Sequence, residues 1–284
     1  MKDQILCSTG AIVGRINGRD HRIILQIAPL LHCDGFEFMM YESWYDRWRE
    51  IVEDLKASGL SFPVVHTDKG IGELFSRNEG DDTREGLRRF AVNCHLAQQL
   101  GAEKLVLHLW GGRPSDRDMA HNAAQLPLLT RMAEEAGLLL TVENVVCSHG
   151  DPLTHMKELA EQYPRLRFTF DTKMAAFHGQ LRESCLPKWD WLWSCHRIAH
   201  LHVNDYGGGY MDWDRLRTLH IGDGRIDFES FFSFLRQKEY RGTYTVEATS
   251  MTAEGILLDK LNSSLDYIRR QLGKEDGEVE IKGM

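Results

Sequence analysis

The sequence predicts an α/β chain closed into a (β/α)8 barrel, as a single domain. Three observations carry this prediction. Eight apolar, strand-sized runs recur along 284 residues, segments with helical spacing lie between them, and no Pro-, Ser- or Gly-rich linker interrupts the series. Length alone would allow two domains of roughly 150 residues, but a barrel of this kind takes about 250 residues as one. The runs are apolar almost throughout, as expected for parallel strands covered on both faces. A doubly wound sheet is the competing arrangement. It would carry a Gly-rich phosphate turn after its first strand, and GAIVGRING at 10–18 lacks the GxGxxG spacing.

The units follow in order. The first run is residues 5–12 and the second 35–40. Residues 46–58 then place Trp48, Ile51, Val52 and Leu55 on one helical face, stopped by Gly59. The third run, 62–66, leads to a helix over 83–100 with Leu87, Phe90, Ala91, Cys94 and Leu100 inward, stopped by Gly101. The fourth, 104–109, leads past Pro114–Ser115, read as a helix entry, to 122–136 with Leu126, Leu129, Met132 and Ala133, stopped by Gly137. The fifth run is 138–143, with Asp151–Pro152 as the next helix entry. The sixth is 167–171. The seventh, 198–203, precedes a helix over 228–236, and the eighth, 243–247, precedes one over 256–272. Residues 1–273 make the barrel, and KEDGEVEIKGM at 274–284 is a short polar tail.

Composition narrows the class of function. Lys plus Arg number 34 against 42 Asp plus Glu, a balance of −8 that argues against a protein coating nucleic acid or an anionic membrane. No long apolar h-region follows the first charges and no apolar stretch reaches 18 residues, so neither a signal peptide nor a membrane span is predicted. The six cysteines form no CxxC pair and read as reduced thiols of a cytoplasmic protein.

The functional signal is positional. From the third run onward each strand ends in, or just before, a residue able to hold a metal: His66, His108, Glu143, Asp171, His202 and Glu247. In a (β/α)8 barrel these ends converge at one mouth. A lone acid there is usually a helix cap, and a lone histidine a satisfied polar residue. Six in register make three imidazoles and three carboxylates, a set suited to a divalent ion such as Zn, Mn, Mg or Co. Three carboxylates in a partly dry mouth raise one another's pKa or demand a cation.

Further residues are candidates for substrate contact. Asn204 and Asp205 open the loop after the seventh run, and His220 lies in LHIGDGRID. Lys173 sits two residues past Asp171, where it reaches a substrate oxygen or phosphate or else makes a surface ion pair. Glu37 lies inside the second run. Trp110, Trp44 and Tyr41 are placed to wall the mouth or to pack loops. His200 shares strand phase with His202 and reads as a core residue or as support for a ligand.

The pieces DGFEF, LVLH, TVEN, FDT, HLHVND and IGDGRIDF, in this order and spacing, resemble the xylose-isomerase-like superfamily of barrels. That group holds sugar phosphate isomerases and epimerases, and AP endonucleases of the endonuclease IV type. The resemblance covers the chain from CSTG at 7–10 to TVEA at 245–248. The isomerase pattern implies one divalent ion on Glu143, Asp171, His202 and Glu247. The endonuclease pattern adds His66 and His108 as a second position bridged by Glu143, so one ion or two are implied.

The departures weigh against the nuclease. Met174 stands where its histidine would follow the sixth-strand Asp, and His220 is displaced from its Asp-x-His pair, so a third metal position is not built. Many isomerases also have a histidine where Met174 stands. The resemblance implies a metal-dependent isomerase or epimerase of a small sugar or polyol carbonyl compound, acting through a metal-stabilised enediolate. Glu143 and Glu247 are the candidate proton-transfer bases, and His108, His66 or Lys173 would stabilise developing negative charge. Dehydration of such a substrate fits the same residues. The alternatives are a dinuclear hydrolase or phosphoesterase and a barrel that only binds a small molecule. Homo-oligomers are common in the group.

Overall fold

The computed structural model describes residues 3–273. Eight parallel strands close on themselves in sequence order: β1 (Gln4–Ser8), β2 (Gly35–Met39), β3 (Val64–His66), β4 (Lys104–Leu107), β5 (Leu139–Glu143), β6 (Arg167–Asp171), β7 (Ile198–His202) and β8 (Thr243–Val246). The seam is β8 against β1, with Gln4 opposite Thr243 and Cys7 opposite Val246. The helices between them are α1 (Arg22–Ile27), α2 (Trp48–Ala57), α3 (Gly70–Arg77), α4 (Asp82–Leu100), α5 (Met119–Ala124), α6 (Leu126–Glu135), α7 (Pro152–Gln162), α8 (Thr172–Phe177), α9 (Asp190–Ser194), α10 (Phe228–Gln237) and α11 (Leu258–Gln271). Among the described residues no helix is long and apolar enough to cross a membrane, and all six cysteines are free. Residues 274–284, read above as a tail, lie outside the described residues.

Alternation along the strands separates two environments. Ile5, Cys7, Leu105, Leu107, Phe168, Phe170 and Val246 face the helices and join one large apolar core. The opposite faces line the barrel axis, where Leu6, Val64 and Val106 form a small cluster of their own. Around it the interior is polar: Glu37, Thr141, Thr169, His200 and Thr245 are fully buried. The expectation of strands apolar on both faces therefore holds for only part of the barrel.

Local chemistry explains where the elements stop. Gly59, Gly101 and Gly137 adopt φ of +71°, +71° and +76°, the left-handed helix endings the sequence predicted. Asp151 caps α7 by accepting from Thr154 N at 2.9 Å. Ser115 does not open a helix; it takes φ +50° in a turn, and α5 starts behind Asp118, which accepts from His121 N at 3.1 Å. The single helix predicted over 122–136 is two, divided at Gln125, because Pro127 lacks the N–H an unbroken helix needs. The first strand ends at Ser8, whose hydroxyl accepts from Gly10 N at 3.2 Å and turns the chain although Ala11, Ile12 and Val13 continue apolar.

Candidate metal centre

The barrel brings the six strand-end residues together at its C-terminal mouth. Glu143, Asp171, His202 and Glu247 each offer one ligand atom within 4.8 Å of the others, and His66, His108 and Glu143 form a second such group. His202 Nδ1 lies 3.3 Å from Glu143 Oε1, 3.2 Å from Glu247 Oε2 and 4.0 Å from Asp171 Oδ2. The other oxygen of Glu143 lies 3.2 Å from His66 Nε2 and 2.9 Å from His108 Nε2. Two ligands tetrahedral about one ion, each about 2.1 Å from it, stand about 3.4 Å apart. The spacing within both groups is close to that, and the donors suit a divalent ion.

Protonation fits the same reading. His66 Nδ1 donates to the Thr67 carbonyl at 2.7 Å, which leaves Nε2 as the ring nitrogen facing Glu143. Burial pushes His108 down to about 4 despite the pull of Glu143, so its ring is neutral at pH 7. Two imidazole nitrogens converging on one carboxylate oxygen make a donor set that suits a divalent cation. Around His202, burial opposes charge, but Glu247, Glu37 and Glu143 outweigh it and hold its pKa well above the usual imidazole range. Burial also acts to raise Glu143, but His108 and His202 prevail and keep it well below the usual carboxylate range. Asp171 is pushed up to about 6, by burial first, with Glu143 and Glu247 adding to it against the pull of Lys173. A proton on His202 thus stands where an ion's charge would.

Two asparagines set the carboxylates. Asn144 spans from β5 to β6, accepting from Asp171 N at 2.6 Å and donating to Asp171 O at 3.1 Å. Asn204 repeats the clamp from β7 to the end of β8, accepting from Glu247 N at 2.8 Å while its Nδ2 reaches Asp171 Oδ2 and Glu247 Oε2, both at 3.2 Å. Asp171 Oδ1 caps α8 through Lys173 N and Met174 N, which fixes the carboxylate plane. Asn204 therefore ties Asp171 to Glu247. Asn144, in TVEN, was missed as a role, although its place directly after Glu143 matches that of Asn204 two residues after His202.

Glu37 lies beneath the mouth. It is fully buried, with His202 Nε2 at 3.0 and 3.1 Å from its two oxygens and His200 Nε2 at 2.7 Å. Its surroundings are histidines and not open space, which supports a part in holding His202 rather than contact with substrate. His200 completes the line by meeting Thr243 Oγ1 through Nδ1.

Open space lies on one side only. A cavity of about 380 Å³ is bordered by Tyr41, Lys69, Thr218 and Glu247. Glu143, Asp171 and His202 are at most 1% exposed, whereas the Glu247 side chain is 9% exposed and borders the cavity. Lys69 is exposed at the rim, and Glu247, Glu143 and Asp171 raise its pKa against the desolvation of the crowded mouth. Sequence reasoning missed Lys69, because it enters from the start of α3, three residues past β3, where no motif marks it. Lys173 is buried and its Nζ donates to Thr218 Oγ1 at 3.0 Å on the same side.

The remaining candidates sit elsewhere. Trp110 is fully buried, donating to Val146 O at 3.2 Å against the edge of His155. Asp205 accepts from the backbone N–H groups of Tyr206, Gly222, Gly224 and Ile226 at 2.7–3.0 Å, so it ties the loop that begins there. A Cβ on Gly224 would stand 2.3 Å from that carboxylate, which explains the second glycine of IGDGRI. His220 lies 3.4 Å from Ser250 Oγ and 3.5 Å from Ser264 Oγ, packed between the loop after β8 and α11. His178 accepts from Cys147 N at 2.9 Å, and burial lowers its pKa.

The profile of the xylose isomerase-like TIM barrel family matches residues 27–271. The chain belongs to this family. Among curated family relatives, the L-ribulose 3-epimerase of Methylomonas sp. (strain DH-1) is 25% identical over 152 residues, spanning 51% of this chain and about half (47%) of that protein. Among solved barrels, the D-allulose 3-epimerase of Methylomonas sp. in complex with D-allulose superimposes with a TM-score of 0.69 at 16% identity, over 95% of this chain and 97% of that one. The 3-keto-D-glucoside 4-epimerase YcjR of E. coli gives 0.66 at 16% identity, over 95% and 100%. At these identities the structural likeness speaks for the barrel alone.

Proposed function

We propose that the protein is a divalent-metal-dependent isomerase or epimerase of a small sugar or sugar-like polyhydroxy carbonyl compound. One observation carries the reading: of the four clustered residues Glu143, Asp171, His202 and Glu247, only Glu247 opens onto the cavity beside them. The relatives named above as ketose and keto-glucoside epimerases support the substrate class. Glu143, Asp171, His202 and Glu247 would hold the ion, which supplies Lewis acidity at a carbonyl oxygen and so acidifies the neighbouring C–H.

The rest is the work of the chain. Glu247 Oε accepts the proton, with its carboxylate held toward the cavity by Asn204. The Lys69 ammonium, cationic beside the three carboxylates, donates to the oxygen that gains negative charge. Lys173 and Thr218 bind a hydroxyl further along the cavity. The buried floor of Glu143 and its three histidines excludes water from the reacting carbon. Return of the proton to the same carbon or to its neighbour separates epimerisation from isomerisation.

A second reading is favoured by one specific arrangement, the convergence of His66 Nε2 and His108 Nε2 on the outer oxygen of Glu143. It is a dinuclear hydrolase or phosphoesterase, in which His66, His108 and Glu143 would hold a second ion that helps to activate a water.

The deciding experiment incubates metal-loaded protein with a panel of ketoses and aldoses in D2O and follows carbon-bound hydrogen by NMR. Deuterium entering beside a carbonyl, lost by about 10²- to 10⁴-fold in Glu247→Gln with metal content retained, is the expected result. Turnover of Glu247→Gln at the wild-type rate would overturn the assignment of the base. Phosphoester cleavage with no exchange on any sugar would favour the second reading.

A further inference from the structure

The opposite end of the barrel has a chemistry of its own. In barrels of this class, branched apolar side chains usually fill the interior in layers. Here the first inward positions of β1, β4, β5, β6 and β8 are Gln4, Lys104, Leu139, Arg167 and Thr243, one layer below Leu6, Val106, Thr141, Thr169 and Thr245. Instead of an apolar plug, these residues border a cavity of about 520 Å³ open at the base.

Two cations in that layer have little or no counter-charge. Lys104 is 5% exposed, its ammonium donates no hydrogen bond among the described residues, and its one ion-pair contact is Glu103 at 3.9 Å. The Glu103 side chain is itself 63% exposed. Burial lowers the pKa of Lys104, with Glu103 offsetting only part of it. Arg167 is half-buried two strands away, and among the described residues no hydrogen bond or ion pair engages its guanidinium. A third cation at the rim, Arg241, is already paired with Asp3 at 3.1 Å. A surface lysine finds water or a carboxylate by rotating, but an inward position on a closed barrel removes that freedom. An ammonium and a planar guanidinium fork facing one cavity match a tetrahedral oxyanion, the fork by paired N–H donors and the ammonium as a point charge. The Gln4 amide adds a neutral donor at the same level.

We propose that this basal cavity is a second ligand site, separate from the mouth, that binds a phosphate group through Lys104 and Arg167. The group is either free inorganic phosphate or the phosphate of a small ester, since the cavity has room beyond the oxyanion itself. The mouth carboxylates have no part in it.

The test is calorimetric titration of the metal-loaded full chain with inorganic phosphate and, in a parallel arm, with glycerol 3-phosphate. The wild type is expected to bind one equivalent. Lys104→Met and Arg167→Lys should each weaken binding by about ten-fold or more, as loss of a charge-assisted hydrogen bond requires. Glu247→Gln should bind as the wild type does. Tighter binding of the ester would identify an organic phosphate as the ligand, and equal binding a free anion. Lys104→Met should melt at or above the wild-type temperature without phosphate, because it deletes an uncompensated buried charge, and it should lose the phosphate-dependent rise. If neither probe binds, or if binding survives both basal substitutions and falls in Glu247→Gln, the proposal is overturned.

Discussion

Replacing Glu37 by Gln tests whether the buried carboxylate governs metal affinity from beneath the site. The substitution keeps volume and removes one charge. His202 Nε2–H can still donate to the amide oxygen across the present 3.0 Å, so the ring stays in place. His200, now 2.7 Å from the other oxygen, would face an NH2 group and must accept at Nε2 while donating to Thr243 through Nδ1. What is lost is the negative charge that makes His202 a better donor, and outer partners of this kind are worth about 10- to 100-fold in affinity, or about 1.4–2.7 kcal/mol. The same charge helps hold the His202 proton, so its removal also weakens the competitor. Below the His202 pKa the two effects partly cancel; above it only the loss of affinity remains. The deficit of Glu37→Gln should therefore widen as pH rises, measured by competition with a chromophoric chelator at pH 6 and pH 9. Equal affinity at both values, or a deficit larger at pH 6, would refute the reasoning.

Metal uptake by the wild type should release about one proton near pH 7, mainly from His202, so apparent affinity rises about ten-fold per pH unit and falls more steeply below about pH 6, where Asp171 must also ionise; titration in buffers of different ionisation enthalpy counts the protons. Because the folded pKa of His202 is raised, its contribution to the stability of the metal-free chain is full below about pH 6.5 and lost as pH climbs through the folded value, and thermal melts with and without metal should show that alkaline loss only without it. His108→Ala should reduce bound zinc from two ions to one by elemental analysis if the group of His66, His108 and Glu143 holds an ion, and leave the count unchanged if it does not. Asp205→Ala strands four backbone N–H groups and should cost about 3 kcal/mol or more in urea unfolding, with Gly224→Ala also destabilising because its Cβ meets the same carboxylate.

The sequence carried the barrel and the positions of the six mouth residues for one reason. A strand covered by helices must be apolar on its outer face, so a polar residue closing an apolar run is conspicuous, and barrel geometry collects all such ends. What it did not carry was depth. Glu37 and His200 look like Glu143 and His202 by phase alone, and only the register of β2 and β7 separates a floor residue from one at the mouth. Lys69 was illegible because its position depends on how α3 departs from β3. Asp205 and His220 were flagged for their chemistry, but apart from Tyr206 the backbone groups and serines they meet lie 17–44 residues away, and no local pattern announces such partners. The division of residues 122–136 was legible in Pro127 and was overridden by the helical spacing on either side.

The carboxylate of Asp205 does more than stabilise a turn. It stands at the root of residues 206–219 and grips the chain again at Gly222, Gly224 and Ile226, so that long excursion leaves and rejoins the barrel at one fastened neck. Tyr210 projects from it into solvent, Trp213 packs edge-on against Phe177, and Thr218 brings its far end back to Lys173 and the cavity. A segment fastened this way is an interchangeable cassette: its length and side chains can be rewritten while Asn204 and His202, on the other side of the fastening, keep their places. Under the proposed function, a library confined to residues 206–219 is the natural place to change what this mouth accepts.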